Sequence, residues 1–167
     1  MRIENESVVL RDFDIGDICR KVKWINDSRN NEFLHYDIPL NVEKTKIWFK
    51  NKDNSKRYDC VIEYNGIPVG LIGLLSVDRD NSKAEYYISM GEEKYKNKGI
   101  ATIATRMILQ FAFQELNLHK VYLNVDALNV VACKLYEKVG FVCEGIFHDD
   151  IIKNGQYIDR KRYAIFE

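Results

Sequence analysis

The chain has 167 residues, and its 25 Lys and Arg side chains balance its 25 Asp and Glu side chains, so the formal net charge is zero. This length predicts a single domain over residues 1–167, since domains usually span about 100–200 residues. A zero net charge excludes a general nucleic-acid binder, which needs a basic excess to neutralise phosphates. No apolar run approaches the roughly 20 residues that span a bilayer. With a polar start that resembles no secretory signal, these features predict a cytoplasmic globular protein without membrane contact.

The cysteines and histidines show no metal-binding pattern. Four cysteines are scattered without a C-x-x-C pair, and the three histidines lack ligand spacing. We therefore expect reduced thiols and no metal.

The first half of the chain predicts one strand, two helices and a three-stranded meander. Residues 7–11 are β-rich, and Asp14 and Asn41 are suitable N-caps for helices over residues 14–26 and from residue 42. Asn65-Gly66, the preferred two-residue type I′ turn, separates β-rich runs over residues 58–64 and 67–77, and a third run follows over residues 84–90.

The second half alternates helices and strands. Residues 99–116 have the apolar spacing of a long amphipathic helix, followed by a strand over residues 121–125. A helix over residues 130–138 ends at Gly140, and a hairpin of residues 141–152 and 157–166 completes the chain. The order βααβββαβαββ predicts an α+β (mixed α/β) domain, with a mostly antiparallel sheet of about six or seven strands and about four flanking helices. One parallel pair would flank the long helix.

The loop before the long helix is a candidate anion site. Gly99 opens a helix whose first backbone N–H groups have no intrahelical partner, and Lys96 and Lys98 add positive charge. Such a helix start can bind a pyrophosphate.

Two motifs together indicate a family. K-x-x-G-x-A begins at Lys96, and N-x-x-A-x-x-L-Y-E-K-x-G-F runs from Asn129 to Phe141. At this separation they resemble the Gcn5-related N-acetyltransferase (GNAT) superfamily over most of the chain. The resemblance implies acetyl-CoA as the donor and direct acetyl transfer to an amine, without a covalent enzyme intermediate.

The resemblance also implies roles for individual residues. The residues expected to bind CoA are the strand segment Ile88, Ser89 and Met90, the loop Lys96, Asn97, Lys98, Gly99, Ile100, Ala101 and Thr102, and Asn124, Asn129 and Lys138. Tyr136 would lie near the thioester sulfur and could protonate the leaving thiolate, and Glu85 is our candidate base. The alternatives are a core aromatic for Tyr136 and a solvent-facing carboxylate for Glu85.

The acceptor amine is a small molecule in this interpretation. Trp24-Ile25-Asn26-Asp27 and Arg29 resemble the branch with ribosomal-protein and nucleotide-sugar acetyltransferases, and look most like enzymes that acetylate a UDP-linked 4-amino sugar. The candidate acceptor residues are Trp24, Arg29, His35, Tyr36 and His148.

Other acceptors and assemblies remain open. A polyamine would favour an acidic cleft, for which the N-terminal acidic cluster Glu4, Glu6, Asp12, Asp14 and Asp17 is a candidate. A protein N-terminus is another acceptor, and a catalytically silent acyl-CoA-binding module or an interaction domain is the alternative of another class. A homodimer is the assembly considered.

Overall fold

All eight strands join one sheet in the order β1-β2-β3-β4-β5-β6-β8-β7. The computed structural model describes residues 1–167. The strands are β1 Arg2–Asn5, β2 Val8–Asp12, β3 Tyr58–Tyr64, β4 Ile67–Asp78, β5 Lys83–Met90, β6 Lys120–Asp126, β7 Val142–Lys153 and β8 Gln156–Phe166. The helices are α1 Ile18–Asn26, α2 Val42–Asn51, α3 Ile100–Gln110 and α4 Val130–Val139. The α+β class, the four helices and the mostly antiparallel sheet are confirmed.

The sheet contains one strand more than expected, because β1 precedes the predicted first strand. Ile3 of β1 lies opposite Leu10 of β2, whereas Arg2 and Glu4 are exposed. An edge strand with one covered face needs few apolar residues, so its sequence lacks the alternation that predicts a strand.

Local signals set most element boundaries. Asn65 and Gly66 both have positive φ, 49° and 77°, as a type I′ turn requires. The Asn41 side chain accepts a hydrogen bond from Lys44 N and so begins α2. Asp14 caps a short 3₁₀ turn, and α1 begins only after it.

The long helix is interrupted near its end. The apolar pattern predicts one helix over residues 99–116, but α3 ends at Gln110 and continues as a π-helical turn over Phe111–Glu115. Both segments bury apolar side chains on one face, so periodicity alone does not distinguish them. None of the helices is both long and apolar enough to cross a membrane.

Helices cover both faces of the sheet and bury two separate cores. Alternation along β3 directs Cys60 and Ile62 into the larger core with α3 and α4, and Val61 into a smaller core with α1 and α2. The sheet is thereby fixed from both sides, which holds the ends of its strands in place.

Strands β5 and β6 separate part of the way along. They are the only parallel neighbours, and they pair only from Lys83 opposite Lys120 to Glu85 opposite Tyr122. Each then continues beside its other neighbour, β5 with β4 and β6 with β8. A gap therefore opens in the middle of the sheet, directly after Glu85.

Candidate active site

The gap between β5 and β6 leads into a cavity of about 770 Å³. The start of α3, the side of α4 and the connection between α1 and α2 complete its walls. The structure brings together most of the predicted site residues around it: Arg29, His35, Glu85, Ile88, Ser89, Met90, Lys96, Asn97, Gly99, Ile100, Ala101, Thr102, Asn124, Asn129, Tyr136 and Lys138.

The loop before α3 presents free backbone donors to this cavity. Gly99 is left-handed, with φ 78° and ψ −5°, and no side chain caps the helix. The first N–H groups of α3 therefore remain available to an anion. Lys96 lies beside them, and its Nζ also contacts Glu93 at 2.7 Å. Lys98 does not line the cavity, and its Nζ is 5.5 Å from the centroid of the Tyr95 ring.

Two asparagine oxygens are buried without a hydrogen-bond partner. They are Asn30 Oδ1 and Asn124 Oδ1, and both residues line the cavity. A buried acceptor without a donor costs about 1–3 kcal/mol, so both oxygens suit a ligand with N–H groups. The Asn129 side chain, in contrast, has a partner. Its Oδ1 accepts a hydrogen bond from Ala132 N at 3.2 Å, which caps the start of α4.

Tyr136 is both a core aromatic and a cavity residue. Its ring packs against Tyr86, Phe141 and Tyr163 at centroid distances of 5.8 to 6.1 Å. Burial, followed by the nearby Cys133, raises the pKa of the Tyr136 phenol above its usual value. The hydroxyl is therefore protonated at neutral pH and can act as an acid.

Glu85 occupies the last paired position before the strands separate. The next residue, Tyr86, points towards α3, where its hydroxyl lies 2.8 Å from Thr105 Oγ1. Because side chains alternate along a strand, Glu85 faces the opposite side. It lines the cavity, where a carboxylate can accept a proton.

The α1–α2 connection, residues 27–41, crosses the open end of the gap. Asn30 Nδ2 donates to the carbonyl of Gly91 just after β5, at 3.0 Å. His35 Nε2 lies 2.6 Å from Asp126 Oδ1 at the end of β6. Glu32, Phe33 and other residues between these two contacts face the cavity.

Sequence reasoning did not identify Asp126 or Glu32. Asp126 is 5% exposed although it is charged, and its side chain is hydrogen-bonded to His35. Its position at the end of a strand that leads into the Asn129 motif is the signal that could have found it. Glu32 lies in a segment without periodicity, and nothing in the sequence indicates its position.

Three predicted acceptor residues lie outside the cavity. Trp24 is buried against Gly91, and its Nε1 donates to Glu92 at 2.8 Å. Tyr36 lies near the ammonium of Lys21, 5.6 Å from its ring centroid. His148 is exposed and contacts Asp159 at 3.0 Å. The residues predicted to bind the base and phosphates of a nucleotide sugar are therefore not grouped at one site.

The N-terminal acidic cluster is also separate from the cavity. Arg11 and Arg20 engage Asp17, Arg2 engages Glu4, and the terminal amine engages Asp12. None of the cluster's carboxylates lines the cavity. No group of three or more His, Cys, Asp or Glu side chains in the chain is placed to hold a metal ion.

The cavity fits acetyl-CoA as a donor substrate. Free N–H groups and Lys96 suit the pyrophosphate, and the separated edge of β5 offers backbone groups from Ile88 to Met90. The partnerless Asn124 oxygen suits an amide N–H of the pantetheine arm.

Comparisons with known proteins agree with this geometry. A family model for the acetyltransferase (GNAT) domain matches residues 7–142. Spermidine N(1)-acetyltransferase of Escherichia coli K12 is 34% identical over 163 residues, covering 96% of this chain and 87% of that protein. The Vibrio cholerae enzyme of the same name is 32% identical over 166 residues, covering 98% of this chain and 95% of that protein.

A solved structure gives the same result in three dimensions. Spermidine N-acetyltransferase from Vibrio cholerae in complex with CoA and spermine superposes with a TM-score of 0.87 and 28% identity, covering 97% of this chain and 96% of that one. These relatives do not support the nucleotide-sugar expectation. The chain belongs to the GNAT family and is an acyltransferase that takes acetyl-CoA as its donor.

Proposed function

We propose that the acceptor is a linear aliphatic polyamine such as spermidine, which corrects the expectation of an amino sugar. The observation that supports it is the set of carboxylates Glu32, Glu85 and Asp126 around one cavity. Phe33 and Leu34 line the same cavity and offer apolar surface. A polyamine alternates ammonium groups with methylene segments, so it needs both kinds of surface.

The partnerless oxygen of Asn30 supports the same class of acceptor. Asn30 lies on the α1–α2 connection and lines the cavity, as Glu32 does. An ammonium group has N–H donors and no acceptor, so it matches a buried carbonyl oxygen. The names of the relatives from Escherichia coli and Vibrio cholerae support a polyamine independently.

The donor end of the cavity has the opposite character. Lys96, Lys134 and Lys138 line it together with the start of α3. These groups match the phosphates of acetyl-CoA and repel a polycation. Charge therefore directs each substrate to its own end.

The proposed reaction follows from the positions of Glu85 and Tyr136. Glu85 removes a proton from the acceptor ammonium, directly or through water, and leaves a neutral amine. The amine nitrogen attacks the thioester carbonyl, so that a C–N bond forms and the C–S bond breaks. Tyr136 donates its phenolic proton to the departing thiolate, and proton exchange with solvent restores both side chains.

A substrate panel tests the acceptor class. Spermidine, spermine, diamines of varied length, UDP-linked amino sugars and peptides with free N-termini are compared by thiol release from acetyl-CoA. We expect the highest kcat/KM with a polyamine. A higher value with a UDP-amino sugar or a peptide would overturn the proposal.

A matched pair of variants connects the panel to the structure. Glu32→Gln removes a cavity carboxylate at nearly constant size and should raise the KM for spermidine about tenfold, the loss of roughly 1.4 kcal/mol of binding. Glu43→Gln, on the exposed side of α2 and outside the cavity, should change nothing.

A further inference from the structure

Lys153 connects the tip of the last hairpin to the α1–α2 connection. It is the final residue of β7 and lies some 120 positions along the chain from the residues that it contacts. Its Nζ donates hydrogen bonds to the carbonyls of Asn31 at 2.9 Å and Leu34 at 2.8 Å, and also to the carbonyl of Glu32. A lysine ammonium has three N–H donors, and here each has its own carbonyl. The ammonium is therefore committed to the backbone of one short segment.

Two of the three carbonyls have no other donor. The carbonyls of Glu32 and Leu34 accept no hydrogen bond except those from Lys153, and residues 27–41 contain no helix or strand. The two ends of the connection are fixed separately, because Asn26 and Leu40 exchange hydrogen bonds of 3.0 and 2.7 Å. In the middle, where the cavity residues lie, Lys153 binds three backbone carbonyls, and the side chains of Asn30 and His35 make the contacts described above.

The part of the α1–α2 connection that Lys153 contacts carries two side chains that line the cavity. Glu32 and His35 line the cavity, and both are within one residue of a carbonyl that Lys153 holds. From this backbone position His35 reaches Asp126 at 2.6 Å. Lys153 itself does not line the cavity, so its influence on the acceptor is indirect.

We propose that Lys153 is a positioning residue that sets the affinity for the acceptor amine by fixing Glu32 and His35. This rests on the proposed function, because the fixed carboxylate is useful only for a cationic acceptor. Without the three bonds from Lys153, the segment keeps only the contacts of Asn30, Asn31 and His35, so we expect it to sample more conformations that acceptor binding must then order. Donor binding relies mainly on the start of α3, so we expect the loss of this order to change it less.

Lys153→Met tests the proposal with Lys161→Met as its matched control. Lys161 lies on β8 of the same hairpin and makes no side-chain hydrogen bond or ion pair, so the control loses the same charge without losing a clamp. Kinetics use the amine that the unmodified protein acetylates best. We expect Lys153→Met to raise the acceptor KM about tenfold, with kcat and the KM for acetyl-CoA changed less than about twofold.

Hydrogen exchange on the free protein separates the clamp from the identity of the acceptor. The amide of Leu34, which donates to the carbonyl of Asn31 between the Lys153 contacts, should exchange at least about tenfold faster in Lys153→Met and at the normal rate in Lys161→Met. Unchanged exchange, or an unchanged acceptor KM, would overturn the clamp. If the substrate panel shows that polyamines are not the preferred acceptor while hydrogen exchange is faster in Lys153→Met, the proposed function is wrong. The positioning role of Lys153 then holds for the amine that the protein does acetylate.

Discussion

At the scale of single residues, Tyr136 combines a place in the core with the proposed role of general acid. Its ring is 7% exposed within an aromatic cluster, and its hydroxyl has no hydrogen-bond partner in the chain. Burial raises the pKa of this phenol, so the hydroxyl keeps its proton at neutral pH. In the proposed reaction that proton is available to the thiolate as the C–S bond breaks.

Tyr136→Phe should therefore remove the acid and keep the packing. We expect kcat to fall about 100-fold, within the range of general acid catalysis, with little change in acetyl-CoA affinity. Steady-state thiol release measures the first quantity, and calorimetry with acetyl-CoA measures the second. Turnover equal to that of the unmodified protein would contradict the role.

Glu85→Gln tests the base in the same assay. The amide keeps the shape of the side chain but accepts no proton at neutral pH, so we expect kcat/KM to fall at least tenfold. The loss should shrink as pH rises, because a larger fraction of the acceptor is then already neutral. A loss independent of pH would assign Glu85 to binding alone.

The sequence reveals those site residues that belong to local motifs. Lys96, Gly99 and Asn129 stand at fixed spacings along one stretch of chain, so a single sequence can show them. Asp126 gains its partner from His35, 91 positions away, and no local pattern contains that information. Trp24 was misplaced for the same reason. Its burial against Gly91 depends on how α1 packs on the sheet, which no local pattern shows.

At the scale of elements, the start of α3 depends on one backbone conformation. A Cβ on Gly99 would meet no atom within 4 Å, so space does not require glycine there. Its φ of 78° does, because a left-handed conformation costs an ordinary residue about 1–2 kcal/mol and a β-branched one more. Gly99→Val should therefore weaken acetyl-CoA binding at least tenfold in calorimetry.

Gly99→Asn is the matched control for this prediction. Asparagine tolerates the left-handed region, and no neighbouring atom obstructs its side chain. Affinity should stay within about threefold of the unmodified protein, since each tenfold corresponds to roughly 1.4 kcal/mol. Equal losses in both variants would show that side-chain bulk, and not backbone conformation, controls the loop.

Elements were predictable where a cap, a turn or a clear period marks them. Asn41, Asn65-Gly66 and Gly140 each fix a boundary through a local hydrogen bond or a positive φ. β1 was not predicted because its strand conformation depends on backbone pairing with β2, which its own side-chain pattern does not indicate. The α1–α2 connection has no periodicity, and its shape comes from Lys153, Asn30 and His35.

At the scale of the whole molecule, a zero net charge conceals a very uneven distribution. Lysines gather at the donor end of the cavity, and carboxylates gather near the α1–α2 connection. A third group lies under α1 and α2, where Asp59 contacts Lys52 at 3.0 Å, Arg57 at 2.7 Å and the Tyr87 hydroxyl at 2.9 Å. The net charge excludes a broadly basic surface but does not indicate any of these groups.

The third group makes stability depend on pH through Lys21. Its ammonium lies 3.8 Å from the centroid of the Trp48 ring, and burial lowers its pKa to about 8. An unfolded lysine titrates near 10.4, so between pH 8 and 10 the unfolded chain binds more protons than the folded one. The free energy of unfolding therefore rises with pH in this window.

Lys21→Met should remove that dependence and keep the packing beneath α1. Relative to the variant, the unmodified protein should gain roughly 2 kcal/mol of unfolding free energy from pH 8 to pH 10, at about 1.4 kcal/mol per unit of pKa shift. Urea titrations at closely spaced pH values measure both proteins. The exposed Lys50 supplies the control, since Lys50→Met should leave the pH profile as it is. A constant difference between the unmodified protein and Lys21→Met over the whole window would mean that Lys21 titrates normally, and that the cluster around Asp59 keeps the ammonium charged in spite of its burial.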